Sequence, residues 1–239
     1  MTTRPLRSEA RDGGGRAPAA MSLFQQGGWL VASFSAPVRA CSWAIVGGGL
    51  VDAEHVAWLE VHDEDLRPPV DAAALLGERL HAQGLEGAVG LLTSRRVASY
   101  REVAAESGAV GARCVATVGL GNALRAGDPA GVAGRIGTIN LLVHVAVPMT
   151  DAALLEASAI ATEAKTAAVL EAGITSRRSG RPATGTGTDC TVVTCVRPPR
   201  GARGAPYAGK HTAIGSVVGD AAFRAVHEGV ASWLEEQRR

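Results

Sequence analysis

GTINLLVHVAV, residues 137–147, alternates without a break: Ile139, Leu141, Val143, Val145 and Val147 fall on one side of an extended chain, and Thr138, Asn140, Leu142 and His144 fall on the other. The run reads as a strand with one face packed into a core and one face free to carry polar chemistry. Immediately after Pro148 the pattern changes to that of a helix. Thr150 is placed to act as N-cap, Asp151 complements the helix dipole, and an alanine-rich body runs to a stop at Gly173.

Working outward, ATGTGTDC (183–190) leads into CTVVTCV (190–196), a second apolar strand. A last helix is expected from Thr212 to about Gln237, because Val218, Ala222, Val226, Val230 and Trp233 recur at helical spacing and form a core stripe. On the N-terminal side, WLVASF (29–34), CSWAIV (41–46) and VAWLEV (56–61) read as strands, broken by Pro37 and by the triplet Gly47, Gly48, Gly49. Residues 70–82 carry a helical pattern. GAVGLLT (87–93) follows as a buried strand, and VASYREVAAE (97–106) and ARCVATVGL (112–120) form an antiparallel pair about Ser107 and Gly108. Strand-rich blocks punctuated by three helices, without regular strand–helix alternation, define an α+β fold. Its sheet is largely antiparallel or mixed and packs against a few helices, with long ones near 150–172 and 212–237.

Residues 1–21 are rich in Arg, Gly and Pro and show no periodicity, which predicts a disordered tail ahead of one domain over 22–239. The chain of 239 residues is 46% apolar and carries a net charge of +1, enough to bury a full core. The near-neutral balance and the 4% aromatic content argue against a nucleic-acid surface. No run reaches the roughly 18 apolar residues of a membrane span, and no apolar leader follows the first arginines, so a cytoplasmic protein is expected. Cys41, Cys114, Cys190 and Cys195 lie in apolar contexts with no zinc-ligand spacing, and are expected as buried thiols with no metal site.

The polar chemistry concentrates in ATGTGTDC. Gly185 and Gly187 allow close approach of backbone amides, Thr184, Thr186 and Thr188 supply hydroxyls, and Asp189 adds a carboxylate. A phosphate cradle is disfavoured, because nucleotide fingerprints place a helix after the loop and the Walker type ends in Gly-Lys-Ser/Thr, whereas this loop enters a strand. Asp189 is suited to orienting a histidine or activating water. His211 in GKHTAIG stands directly before a helix, whose positive end suits a neutral imidazole, the form a general base needs. Lys210 adds a cation beside it. In ATEAKTAA (161–168), Glu163 and Lys165 are two residues apart and diverge by roughly 200°. Glu163 aligns with Ile160, Ala167 and Leu170, the more apolar side, and is therefore the expected site group.

Six segments, LLTS, ATVGLGNALRAGD, GTIN, ATEAKTAA, ATGTGTDC and GKHTAIG, occur in this order, and together they closely resemble the adenosylcobinamide amidohydrolase family of cobamide salvage. The resemblance covers roughly Ser33 to Trp233. It implies hydrolysis of the amide joining aminopropanol to the corrin ring, giving adenosylcobyric acid, with action on complete cobamides in some relatives. The implied partner is a small-molecule corrinoid whose cobalt belongs to the substrate, with no cofactor held by the protein; homo-oligomer formation is left open. On this reading Asp189, Glu163 and His211 form the catalytic set. Ser42, Gly48, Asn122, Asn140, Gly185, Thr186, Gly187, Thr188, Lys210 and Lys165 form the binding set, and a covalent route through Ser42 or a loop threonine is the alternative to direct attack by water. A non-catalytic corrinoid-binding protein is the rival reading. It would bind the same ligand and release no aminopropanol.

Overall fold

A computed structural model describes residues 21–131 and 137–238. The tail expected over 1–21 lies outside the described residues except for Met21, which opens the first strand and is buried.

The strands are β1 (Met21–Gln26), β2 (Trp29–Ser42), β3 (Gly49–Glu60), β4 (Val89–Thr93), β5 (Arg101–Ser107), β6 (Val110–Val118), β7 (Ala123–Leu124), β8 (Ile139–Val145), β9 (Gly185–Thr186) and β10 (Cys190–Val196). The helices are α1 (Ala72–Ala82), α2 (Asp151–Glu171) and α3 (Ala213–Gln237). Eight strands form one mixed sheet in the order β4-β3-β2-β10-β8-β6-β5, with β1 added beside β2. Only β3–β4 and β8–β10 run parallel within it. The long β2 makes this order possible. Trp29–Phe34 pair with β1, and Val38–Ser42 pair with β10. This is the α+β mixed sheet expected from the sequence.

Two local expectations are corrected. Pro37 does not end a strand: β2 continues through it, with the register against β3 shifting between Ser33 and Val38, and such irregularities tolerate a residue that lacks an N–H. In CSWAIV only Cys41 and Ser42 belong to β2, and residues 43–48 make the connection from β2 to β3, with Val46 bridging to Gly90.

Helices α2 and α3 cover one face of the sheet. Leu154, Ala157, Ala161 and Val169 of α2 and Val218, Ala222, Val226 and Val230 of α3 share a cluster with Ile139, Leu141, Val143 and Val145 of β8. Each fully buried Val or Leu contributes about 1.5–3 kcal/mol. Both helices start on a side-chain cap, at Thr150 as expected and at Thr212 as well. The Thr150 hydroxyl accepts from Ala153 N–H, and the Thr212 hydroxyl accepts from Gly215 N–H. Asp151 also receives two hydrogen bonds from Arg39, at 2.9 and 2.8 Å, which tie α2 to β2.

The opposite face of β8 is buried as well, because Leu142, Val115 and Val192 pack against Leu30, Val56, Trp58 and Leu91 from the first four strands. The sheet therefore curls, and Asn140 Nδ2 of β8 donates to the Leu92 carbonyl of β4 at 2.7 Å. His144 sits inside this interior, with Nδ1 3.0 Å from the Thr194 hydroxyl. The seam between β4 and β8 is where a cleft opens.

Candidate active site

The cleft encloses about 510 Å³. Five of the six segments quoted above supply or support it. LLTS gives Thr93 and Ser94, the segment ending in AGD gives Asn122, GTIN gives Thr138 and Asn140, and ATGTGTDC gives Gly187, Thr188 and Asp189. The fifth, ATEAKTAA, reaches the cleft floor from behind. Lys165 Nζ donates to Asp189 Oδ2 at 2.5 Å, and the two side chains are only 9% and 10% exposed.

The Asp189 carboxylate is the hub of the loop. Its Oδ1 accepts from the Thr186 hydroxyl at 2.6 Å, from Thr186 N–H at 3.1 Å and from Ile139 N–H at 3.0 Å. With Lys165 on Oδ2, the acceptor capacity of an ionised carboxylate is nearly filled. Asp189 therefore anchors the loop to β8 and α2, and little of it is left to accept a substrate proton. Gly185 lies over the pair so closely that a Cβ there would stand 2.1 Å from Asp189 Oδ2 and 2.6 Å from Lys165 Nζ.

The three loop threonines separate by their partners. Thr184 Oγ1 accepts from Ala126 N–H, and Thr186 Oγ1 is spent on Asp189. Thr188 is the exposed one that lines the cleft, its hydroxyl donating to the Gly137 carbonyl at 3.1 Å. Asn122 also lines the cleft; it is buried to more than nine-tenths, and its Oδ1 finds no hydrogen-bond partner among the described residues. Cys190 also reaches the wall, but burial pushes its thiol up to about 12, so it is not a thiolate nucleophile at neutral pH.

Not all expected residues meet here. Asn122, Asn140, Gly187, Thr188 and Asp189 line the cleft, while Lys165, Gly185 and Thr186 brace it. Ser42 and Gly48 shape the turn beside it. Ser42 Oγ accepts from Ala44 N–H at 3.4 Å, and a Cβ on Gly48 would meet the Ala44 carbonyl at 2.3 Å. His211, Lys210 and Glu163 instead line a separate, more open depression between α2 and the start of α3, where Lys210 pairs with Glu163.

The helical-face expectation for α2 is reversed. Glu163 is 56% exposed, and Lys165 is the buried member. Apolarity misleads on this helix because alanines populate both sides, and Leu155 and Leu170 are exposed. Lys165 lies on the buried stripe with Ala161 and Ala168, where an ammonium needs a carboxylate partner. Trp43, also on the cleft wall, carried no sequence signal beyond its place in an apolar run.

A curled mixed sheet backed by two long helices, with a glycine- and threonine-rich loop closing a cleft at its seam, defines the architecture of this α+β protein. The chain belongs to the adenosylcobinamide amidohydrolase family, whose sequence profile matches residues 16–238. An uncharacterised protein of Methanocaldococcus jannaschii is 38% identical over 96 residues, covering 39% of this chain, and the match spans about a third (36%) of that relative's length. Among solved structures, a Burkholderia sp. β-aminopeptidase aligns with a TM-score of 0.43 and 14% identity, covering 92% of this chain and 81% of its own. A Pyrococcus horikoshii protein aligns with a TM-score of 0.43 and 13% identity, covering 95% and 82%. No helix among the described residues is long and apolar enough to cross a membrane.

Proposed function

We propose that this chain hydrolyses the amide between aminopropanol and the corrin ring of adenosylcobinamide, giving adenosylcobyric acid for cobalamin salvage. The observation that carries the reading is the convergence of five separated family-like segments on one cleft. Water adds to the amide carbonyl carbon, the C–N bond breaks, and the nitrogen leaves with a proton as aminopropanol. Amide hydrolysis requires donors aimed at the carbonyl oxygen and a fixed pose for the scissile bond.

In this reading the Gly187–Thr188 backbone and the Thr188 hydroxyl face the scissile amide, and the Asn122 carboxamide beside them reads it as well. Asp189 is a positioning residue: with Lys165 it holds the loop at a fixed height above β8. His211, Lys210 and Glu163, gathered in the other depression, are assigned no step in the cleft.

Incubation of the chain with adenosylcobinamide, followed by mass analysis, tests the function. Release of free aminopropanol with formation of adenosylcobyric acid is expected. Binding of the corrinoid with both parts still joined would instead identify a carrier.

A further inference from the structure

The cleft that gathers these polar groups also carries two large apolar side chains that folding has not buried. Trp43 and Ile45 are each 51% exposed, and both line the cleft. They stand on the β2–β3 connection, where Ser42 and Gly48 set the turn, and Leu66 and Ala72 also line the cleft.

Trp43 is not a loose surface ring. Its Nε1–H donates to the Asp189 backbone carbonyl at 2.7 Å, so the indole is pinned to the residue whose side chain anchors the loop. A ring already fixed by a hydrogen bond loses little conformational freedom when a ligand covers its face. The cleft thus combines a preorganised apolar wall at Trp43 and Ile45 with a polar floor of Asn122, Asn140 and Thr188. That combination fits a ligand that is broad and apolar on its face and carries carboxamides on its rim.

We propose that Trp43 and Ile45 are the specificity-determining residues of this site, bearing the apolar face of a corrinoid macrocycle so that its amide arm hangs over the floor at Thr188 and Asn122. The proposal rests on the corrinoid reading given above. The wall selects for the ring, and the floor handles the bond.

The test is equilibrium binding of adenosylcobyric acid, which has the ring but no aminopropanol arm, to the full chain and to Trp43→Ala, Trp43→Phe and Ile45→Ser. Covering a large apolar side chain predicts that Trp43→Ala and Ile45→Ser each weaken binding about tenfold or more. Trp43→Phe keeps a ring face and is expected to stay within about threefold. Thermal melting checks that the variants remain folded; should Trp43→Ala unfold, Ile45→Ser and Trp43→Phe carry the comparison. Unchanged binding in the alanine and serine variants overturns the proposal. So does a wild-type chain that does not bind the ring. Equal losses in Trp43→Phe and Trp43→Ala with Ile45→Ser unaffected also overturn it, since Trp43 would then act only through its N–H on the loop. A chain that binds the ring through this wall but releases no aminopropanol keeps the proposal and refutes the hydrolytic reading.

Discussion

The Lys165 ammonium and the Asp189 carboxylate meet at 2.5 Å beneath Gly185, in a space with no room for a side chain on that glycine. The pair joins α2 to the loop that closes the cleft. Gly185→Ala drives a methyl group into both partners, and overpacking of this kind costs about 1–3 kcal/mol. Chemical denaturation should show that loss. Turnover of adenosylcobinamide should fall further than stability alone explains, because Thr186 and Thr188 move with the loop.

Removing one member of a buried pair is expected to be worse than removing both. Lys165→Met leaves Asp189 with an unpaired charge at a site only 10% exposed, and a loss of about 3–5 kcal/mol is typical of such a break. In Lys165→Met/Asp189→Asn the stranded charge is gone, so part of the loss should be recovered. A double-mutant cycle in urea measures the coupling. Additive single losses would show that the pair does not hold the loop.

The division of the polar residues between two depressions yields a kinetic prediction. His211 is exposed and lies with Lys210 and Glu163, outside the cleft. His211→Ala should therefore lower kcat/KM by less than about tenfold, well short of the roughly 10²–10⁴ contributed by a general acid or base. A loss of that larger size in steady-state assays would place the histidine in the reaction.

Acid should loosen the end of α3 through Glu236. Arg95, itself buried, donates to Glu236 Oε1 at 2.6 Å and to the Ser232 hydroxyl at 3.3 Å. The Arg95 hydrogen bond holds the Glu236 carboxyl below the usual glutamate range. A carboxyl depressed in the folded state adds stability that is fully present above its unfolded pKa, about 4.3 for a free glutamate, and is lost as pH falls through the lower folded value. The stability difference between the wild-type chain and Glu236→Gln should stay constant from pH 7 to about 4.5 and shrink below that. Denaturant titrations across this range check it.

Much of the fold was legible because its signals are local. The alternation of Ile139–Val145, the Thr150 cap, the helix start at Thr212 and the antiparallel pair about Ser107 and Gly108 all depend on neighbours in sequence. Curling of the sheet is not local. It brings Leu92 to Asn140, 48 residues apart, and buries the face of β8 that looked free for polar chemistry. The Gly-Thr loop could be singled out from composition, yet the role of Asp189 could not, since its partners Ile139 and Lys165 come from two other elements. The sequence favours Glu163 over Lys165 because an alanine-rich helix gives no apolar contrast between its faces, and a buried ammonium shows only once its carboxylate is in place. Trp43 lay hidden in an apolar run whose second half leaves the strand.

The cleft as the place of amide cleavage is tested most directly by aminopropanol release from adenosylcobinamide, measured side by side for the wild-type chain, Asn122→Ala and Thr188→Val, with melting curves to confirm folding. Loss of a hydrogen bond to the scissile amide predicts that the wild type turns over and that each variant falls by about 10–100-fold in kcat/KM. Full activity in both variants would contradict the account.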